Sequence, residues 1–407
     1  MKSNSVDLIE DKVSWYDYVG MFYFLSLCGN VCFQTYVTEY IYVLSAIAYM
    51  CLFYFKTSIR KCISIQSRKI IVQMIIVFMM LFIMQYVVFG WNTVPGIINH
   101  ISKFIVGAGY MAYKGPRFRQ VFFKTMYAIC LVALPLWIIQ QFYGGMSGMS
   151  WGIGKTIWIY SYRDNDDIVR NCGFFWEPGA FGGYISLLAL LFFKDLKNLF
   201  SFHKKECIVI LLALLSTQST GGYISFGCIL LAYFAFSMKS KVKYILLPLG
   251  VCAALYTYTK LDFLSEKIEG QNESATELEW GEYSSTRMGS LMFDMYYVAK
   301  HPLIGNGLHE RTRLADHPML AMMLKNGEEQ GAGNGFSDTL AKWGLIYFFA
   351  FAYFFFKSNR GVPNRIKYMF LVLLCVILQG EAFMNYPLFL GIPVFSMNSI
   401  KYRKKIS

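Results

Sequence analysis

The sequence is poor in charge. Only 15% of its 407 residues are Asp, Glu, Lys or Arg, against roughly 25% in a soluble domain. That shortfall excludes an ordinary water-soluble globule, and apolar residues fill it: 56% are hydrophobic and 18% aromatic. A disulfide framework is absent too. Eight of the ten cysteines lie in or beside apolar runs, where the thiol acts as a small hydrophobe. Cys62 falls in a basic loop, and Cys172 is expected alone and exposed on the opposite side, with nothing to pair with. The histidines and cysteines lack metal-ligand spacing, and no phosphate-binding glycine loop occurs. Neither a metal nor a cofactor is expected. A cleavable signal peptide is not apparent either, because the first twelve residues are largely polar and charged. The first membrane helix is expected to act as the insertion signal.

What the sequence has is apolar runs of about 17 to 24 residues, the length that crosses a ~30 Å hydrocarbon core. They suggest helices near 16–34, 37–55, 70–89, 95–113, 121–140, 178–199, 206–218, 221–237, 243–259, 335–356, 367–383 and 386–399. The expected fold class is an all-α polytopic membrane protein with about twelve transmembrane helices.

Acid is scarce where base is dense. Every second connection is basic, from Lys56–Lys69 through Lys114–Lys124, Lys194–Lys205, Lys239–Lys243 and Lys357–Lys367 to Lys401–Lys405. These segments hold 24 of the 38 basic residues and two acids, Asp195 and Glu206. The positive-inside rule puts them, and both termini, in the cytoplasm of a cell bounded by this membrane. The net charge of +13 is thereby explained by topology, and nucleic acid is not an expected partner.

The other face has two long links, 141–177 and 260–334. The second carries twelve of the 25 acids and three of the five histidines, His301, His309 and His317. It lies between the ninth and tenth helices and reads as an amphipathic helix followed by a Pro/Gly turn. Function is expected on this external face. Charges gathered outside the membrane, with no convincing internal repeat, weigh against the main rivals, a secondary transporter and a lipid-linked oligosaccharide flippase.

Four stretches stand in order along this frame: "FFWEPGAFGGYIS" opening the sixth helix, "LLSTQSTGGYISF" across the seventh and eighth, "STRMGSLMFDMYYVAKHPLIGNGL" in the large loop, and "GNGFSDTLAKWGLIYFFAFAYFF" entering the tenth. With the topology, they resemble the O-antigen polymerase/ligase superfamily, and most nearly the Wzy-type polymerases of surface polysaccharide synthesis. The topological likeness covers almost the whole chain and the motifs about 80 residues.

The resemblance implies a bacterial inner-membrane glycosyltransferase that moves an oligosaccharide from undecaprenyl diphosphate onto a second lipid-linked unit. Membrane lipid, a flippase and a chain-length regulator are the further candidate partners. A lipid diphosphate leaving group gathers negative charge, which arginine meets with a planar, always-charged fork. The attacking hydroxyl needs a base or an oriented acceptor.

Arg287 matches the arginine that precedes the family's Pro-Leu-x-Gly turn and is the first candidate cation. Arg163 and Arg170 form a second external pair, each with acids nearby that would make ordinary surface ion pairs; Arg311 and Arg313 follow. Glu177 stands before Pro178, which suits the first turn of a helix. An acid there complements the helix dipole, yet also faces the external side, where a base is wanted. His317 is a candidate base or phosphate ligand. His100 and Lys103 are rare polar intrusions into a span, placed to line a lipid-diphosphate site. Asn334 opens the tenth helix, Asp338 and Lys342 are spaced to pair with each other, and Glu381 stands near the external end of the eleventh span.

Two positions depart from the ligase pattern. Thr220 stands where ligases typically carry an arginine, and Gly333 where they carry a histidine. Both departures favour a polymerase over an O-antigen ligase.

Overall fold

The computed structural model describes residues 13–30, 33, 40–56, 63–90, 93–143, 161–163, 169–236, 287–309, 312–313, 317 and 334–397. The expected ninth helix near 243–259, the first part of the 260–334 link, Arg311 and the basic run from Lys401 lie outside them.

Among the described residues the chain is a helical bundle. Its elements are α1 (Trp15–Ser26), α2 (Tyr40–Phe55), α3 (Ile65–Phe89), α4 (Val94–Lys114), α5 (Phe118–Tyr143), β1 (Ser161–Arg163), β2 (Val169–Asn171), α6 (Pro178–Leu191) and α7 (Leu196–Phe202). They continue as α8 (Lys204–Ser216), α9 (Thr220–Phe236), α10 (Arg287–Lys300), α11 (Gly335–Ser358), α12 (Asn364–Leu378) and α13 (Pro387–Leu390). Three stretches, Ile65–Phe89, Val94–Phe142 and Gly335–Ser358, are helical, long and apolar enough to cross a membrane. Pro178–Leu191 with Leu196–Phe202 makes a fourth if the pair, bent by 103°, is taken as one crossing.

Local chemistry sets the helix ends. Ser64 and Thr93 cap α3 and α4 by accepting backbone N–H groups with their side chains, and Gly90 closes α3 in the left-handed conformation. At the turn between α4 and α5, Gly115 has φ +52°. The centre of the bundle is α6, in which every residue but Gly179 is buried. A helix apolar all round needs partners on every side, and α6 meets α9 through glycine on glycine: a Cβ at Gly182 would stand 3.0 Å from the Gly222 Cα. Small residues let the two backbones approach this closely.

The structure corrects four expectations. The first expected span, 16–34, stops as a helix at Ser26, and the turn after it docks on 172–176 through Asn30 Nδ2 donating to the Phe174 carbonyl (3.0 Å). The sixth breaks at Leu191, because Arg119 Nη1 takes the Leu191 carbonyl (3.3 Å) and pairs with Asp195 (3.1 Å). Within the link 141–177, where β1 and β2 pair antiparallel with Tyr162 opposite Arg170, Cys172 is buried rather than exposed.

The largest correction is within the expected helix 386–399, where the described residues 386–397 form no long helix. The chain instead passes through a 3-10 turn (Phe383–Asn385), α13 and a second 3-10 turn (Ile392–Val394), all deeply buried. It still runs from one end of the bundle to the other. Glu381 lies against Gly335 at the start of α11, while 395–397 are tied to Asn359 just past its end. Broken backbone at this depth requires partners inside the protein, and Asn359 supplies them. Its Nδ2 donates to the Phe395 carbonyl (2.9 Å) and its Oδ1 accepts from Met397 N (2.6 Å).

Asn359→Ala is expected to lower the melting temperature of the solubilised protein by several degrees, as buried groups left without partners cost about 1–3 kcal/mol each. A thermal melt in detergent reads it, and an unchanged midpoint would show that the broken segment is held by packing alone.

Candidate functional site

Helix starts converge at one end of the bundle. Glu177 is the residue before α6, Thr220 begins α9, Arg287 begins α10 as described, and Asn334 caps α11. The positive ends of helix dipoles therefore gather here. Glu381 joins them from the loop that follows α12.

Three side chains make the polar centre. Arg287 Nη2 donates to Glu381 Oε1 at 2.8 Å, and the Glu177 carboxyl lies close to that of Glu381. Glycine makes the space. A Cβ at Gly179 would overlap Glu381 Oε1 and stand 3.3 Å from Arg287 Nη2, and one at Gly221 would stand 3.0 Å from Arg287 Nη1. Each glycine is the second residue of its helix, so the backbone can approach the guanidinium where a side chain would block it. Beside this centre lies a cavity of about 210 Å³ walled by Thr220, Gly221, Ser225, Arg287, Asn334 and Gln379. The Thr220 hydroxyl oxygen is buried without a hydrogen-bond partner. Pockets for drug-sized ligands run to ~300–1,000 Å³, so this one has room for a headgroup or a sugar ring rather than a long oligosaccharide.

A second cluster holds α10 against α11. Arg313 Nη1 stands 3.4 Å from Asp294 Oδ1 and 3.2 Å from Asp338 Oδ1, and Lys342 Nζ is 2.6 Å from Asp338 Oδ2. Ser337 Oγ donates to Asp294 Oδ2 at 2.6 Å. The "PLIGNG" turn completes the clamp at a break in α11, where Gly344 has φ +69°. Asn306 N and Gly307 N donate to the Ala341 and Lys342 carbonyls (2.8 and 2.9 Å), and Leu345 N and Ile346 N donate to those of Pro302 and Leu303 (2.8 and 3.1 Å). Two interrupted segments thus satisfy each other. Gly305 must be glycine, because its Cβ would stand 2.6 Å from Gly344 N.

The structure lines the cavity with Arg287 and Asn334, sets Glu177 near Glu381 beside it, and does not bring the other described sequence candidates to this cavity. Arg170 donates from Nε and Nη2 to the Thr217 and Gln218 carbonyls (3.2 and 2.9 Å), closing the end of α8. Arg313 belongs to the clamp. His317 lies against the Phe293 ring, centroids 5.5 Å apart. His100 is buried among Phe78 and Trp343, 5.0 and 4.6 Å away, and Lys103 stands over the Tyr42 ring at 4.7 Å. Arg163 pairs through its backbone with Val169, its side chain lying outside the described residues as Arg311 does. The Asp338–Lys342 pair forms as its spacing suggests.

The site's missing member in the sequence reading was Glu381, noted for its place and not as a partner of Arg287. Gly179 and Gly221 carried the available signal, as glycines just inside helix starts next to Glu177 and Thr220. Among the described residues no group of three His, Cys, Asp or Glu stands close enough to hold a metal ion.

No protein-family model matches this chain, and no curated protein matches it in sequence.

Burial and the Asp338 carboxylate push the Asp294 carboxyl up to about 7. Folded Asp294 then binds its proton more tightly than the unfolded chain does, so its contribution favours the fold at low pH and is lost as pH rises from about 4 to about 7. Protection of the α10 amides, corrected for intrinsic exchange, is expected to fall across that window. Asp294→Asn should flatten the dependence, and an equally steep profile in the variant would assign it to another group.

Proposed function

We propose that this chain is a polysaccharide polymerase of the external membrane face, joining undecaprenyl-diphosphate-linked repeat units by glycosyl transfer. The observation that carries the reading is the Arg287–Glu381 ion pair, with Glu177 close to it, at the edge of a cavity rimmed by helix starts. An arginine fork and the positive ends of dipoles suit a diphosphate whose charge grows as it leaves. Carboxylates beside it suit the proton of an attacking sugar hydroxyl. No cofactor enters this chemistry.

The topology proposed with it has about twelve crossings, the basic connections and both termini in the cytoplasm, and the 260–334 link outside. The helix directions fit: the starts of α6, α9 and α11 lie at the end of the bundle opposite the basic residues Arg119, Lys124 and Lys357. A reporter fused within 260–334 is expected to read as external and one within 357–367 as cytoplasmic. Finding both on the same side would remove the basis for an external site.

Arg287→Lys is expected to cut polymer formation sharply while the protein still inserts, since lysine keeps the charge and loses the fork. Deletion of the chain should leave single repeat units that still reach their acceptor. Long chains stranded on the lipid carrier would indicate a ligase, and single units held on the cytoplasmic leaflet a flippase. A gel of surface polysaccharide distinguishes the outcomes, and a normal ladder from the deletion strain ends the polymerase reading.

A further inference from the structure

At the far end of α6 from the cavity, the chain turns by 103° into the seven-residue helix α7 before α8 returns. Arg119, its side chain 1% exposed, fixes the turn by holding both the Leu191 carbonyl and Asp195. The short helix therefore lies across the end of α6. At about 100° per residue, Leu196 and Leu199 share one face, and both are buried. Phe200 and Phe202 fall about 70–90° to either side of that face, and they are 42% and 52% exposed. Lys197, Asn198 and Ser201 take the remaining face, with Lys197 and Ser201 exposed. A helix that is apolar toward its support, aromatic along both flanks and polar on the outside has the cross-section of one lying in a membrane interface.

Charge marks the same surface. The two acids of this connection, Asp195 and Glu206, are each taken by a cation of α5, Arg119 at 3.1 Å and Lys124 at 3.0 Å. His203 Nδ1 stands 3.2 Å from the same Glu206 oxygen. Among the described residues Lys194, Lys197, Lys204 and Lys205 form no ion pair, and the last three are exposed. Positive charge without a protein partner thus stands beside two phenylalanines without a protein cover.

We infer that α7 and the first turn of α8 form a binding surface for anionic phospholipid in the leaflet on the basic side of the bundle. Phe200 and Phe202 enter the acyl region on the two flanks of α7, while Lys197, Lys204 and Lys205 reach phosphate headgroups, their stems running along the apolar layer. The opposed flanks favour lipid over a docked protein, because lipid surrounds the helix and a protein would cover one side. This surface and the cavity lie at opposite ends of α6, so it does not depend on the polymerase reading.

The test uses the full chain in a nonionic detergent, titrated with phosphatidylglycerol or phosphatidylcholine, with bound lipid counted by native mass spectrometry. A lysine near an anionic surface contributes roughly fivefold in affinity. The parent is expected to prefer phosphatidylglycerol about tenfold or more, and Lys197→Gln, Lys204→Gln and Lys205→Gln combined to cut that preference to about twofold or less. The same charge removed elsewhere, by Lys69→Gln, Arg360→Gln and Arg365→Gln at exposed positions, should leave the preference intact. Phe200→Ser with Phe202→Ser should weaken both lipids alike.

A parent without preference overturns the inference. So does an equal loss in the two triple variants, which would make the effect one of net charge. Unchanged lipid binding after loss of both phenylalanines removes α7 from the interface and overturns it too. Should the lysine variant fail to accumulate, Lys204→Gln and Lys205→Gln are read singly, each expected to lose about fivefold, and an unchanged preference in both has the same result.

Discussion

A backbone carbonyl or N–H set free inside an apolar bundle has to find its partner within the protein, and the architecture follows from how each interruption is answered. The break in α11 at Gly344 is answered by the turn at 302–307, whose own N–H and carbonyl groups need partners in return. Gln85 adds to the exchange from α3, donating to the Ile304 and Lys342 carbonyls at 2.7 and 2.9 Å. The irregular stretch at 381–397 is answered at its far end by Asn359. Arg170 answers the end of α8, and Arg119 the end of α6. In each case a side chain or turn from a distant part of the sequence fills the gap, so the breaks cross-link the bundle.

The same economy shapes the end of the bundle where helix starts converge. Four helix starts pointing at one region create a positive environment that bare backbone would leave for water to neutralise. Acids at Glu177 and Glu381 lie in that environment, and Arg287 balances them. Burying such a group is costly unless its charges are matched, and the Arg287–Glu381 pair matches them. Glycines at Gly179 and Gly221 make the packing feasible, since any side chain at either position would occupy the volume of the guanidinium or the carboxylate. The α10–α11 clamp sets the direction from which Arg287 arrives: Asp294, two turns along the same helix, is fixed to Ser337 and Arg313.

Much of this was legible in composition and order. Apolar runs located α2 to α5, α8, α9, α11 and α12 to within a few residues, because burial and span length act on the sequence locally. Glu177 and Asn334 stood out because each marks a helix start, and Arg287 because it precedes the Pro-Leu-x-Gly turn of the motif it resembles. The breaks were less legible. A glycine at 344 in an apolar run reads as a helical residue until one sees the turn that docks there. The expected span 386–399 is as apolar as a spanning helix, and only the burial of its described residues, 386–397, against α4 and α11 shows why they need not form one; Gly107 and Gly391 meet backbone to backbone at that contact. Arg170, Arg313 and Lys103 show the reverse limit. Charge in an unusual place signals a partner, and the partner was a carbonyl, a carboxylate or a ring.

The ion pair that completes the site joins residues 94 positions apart in sequence. Ribosomes add roughly 5–20 residues per second, so Arg287 is made about 5–20 s before Glu381 exists to meet it. During that interval the nascent chain carries a cation at a crowded helix start with no carboxylate from the α12 loop beside it. The Arg287–Glu381 pair cannot form until the loop after α12 has been made. Formation of this ion pair is thus ordered by synthesis, Glu381 following Arg287 out of the ribosome.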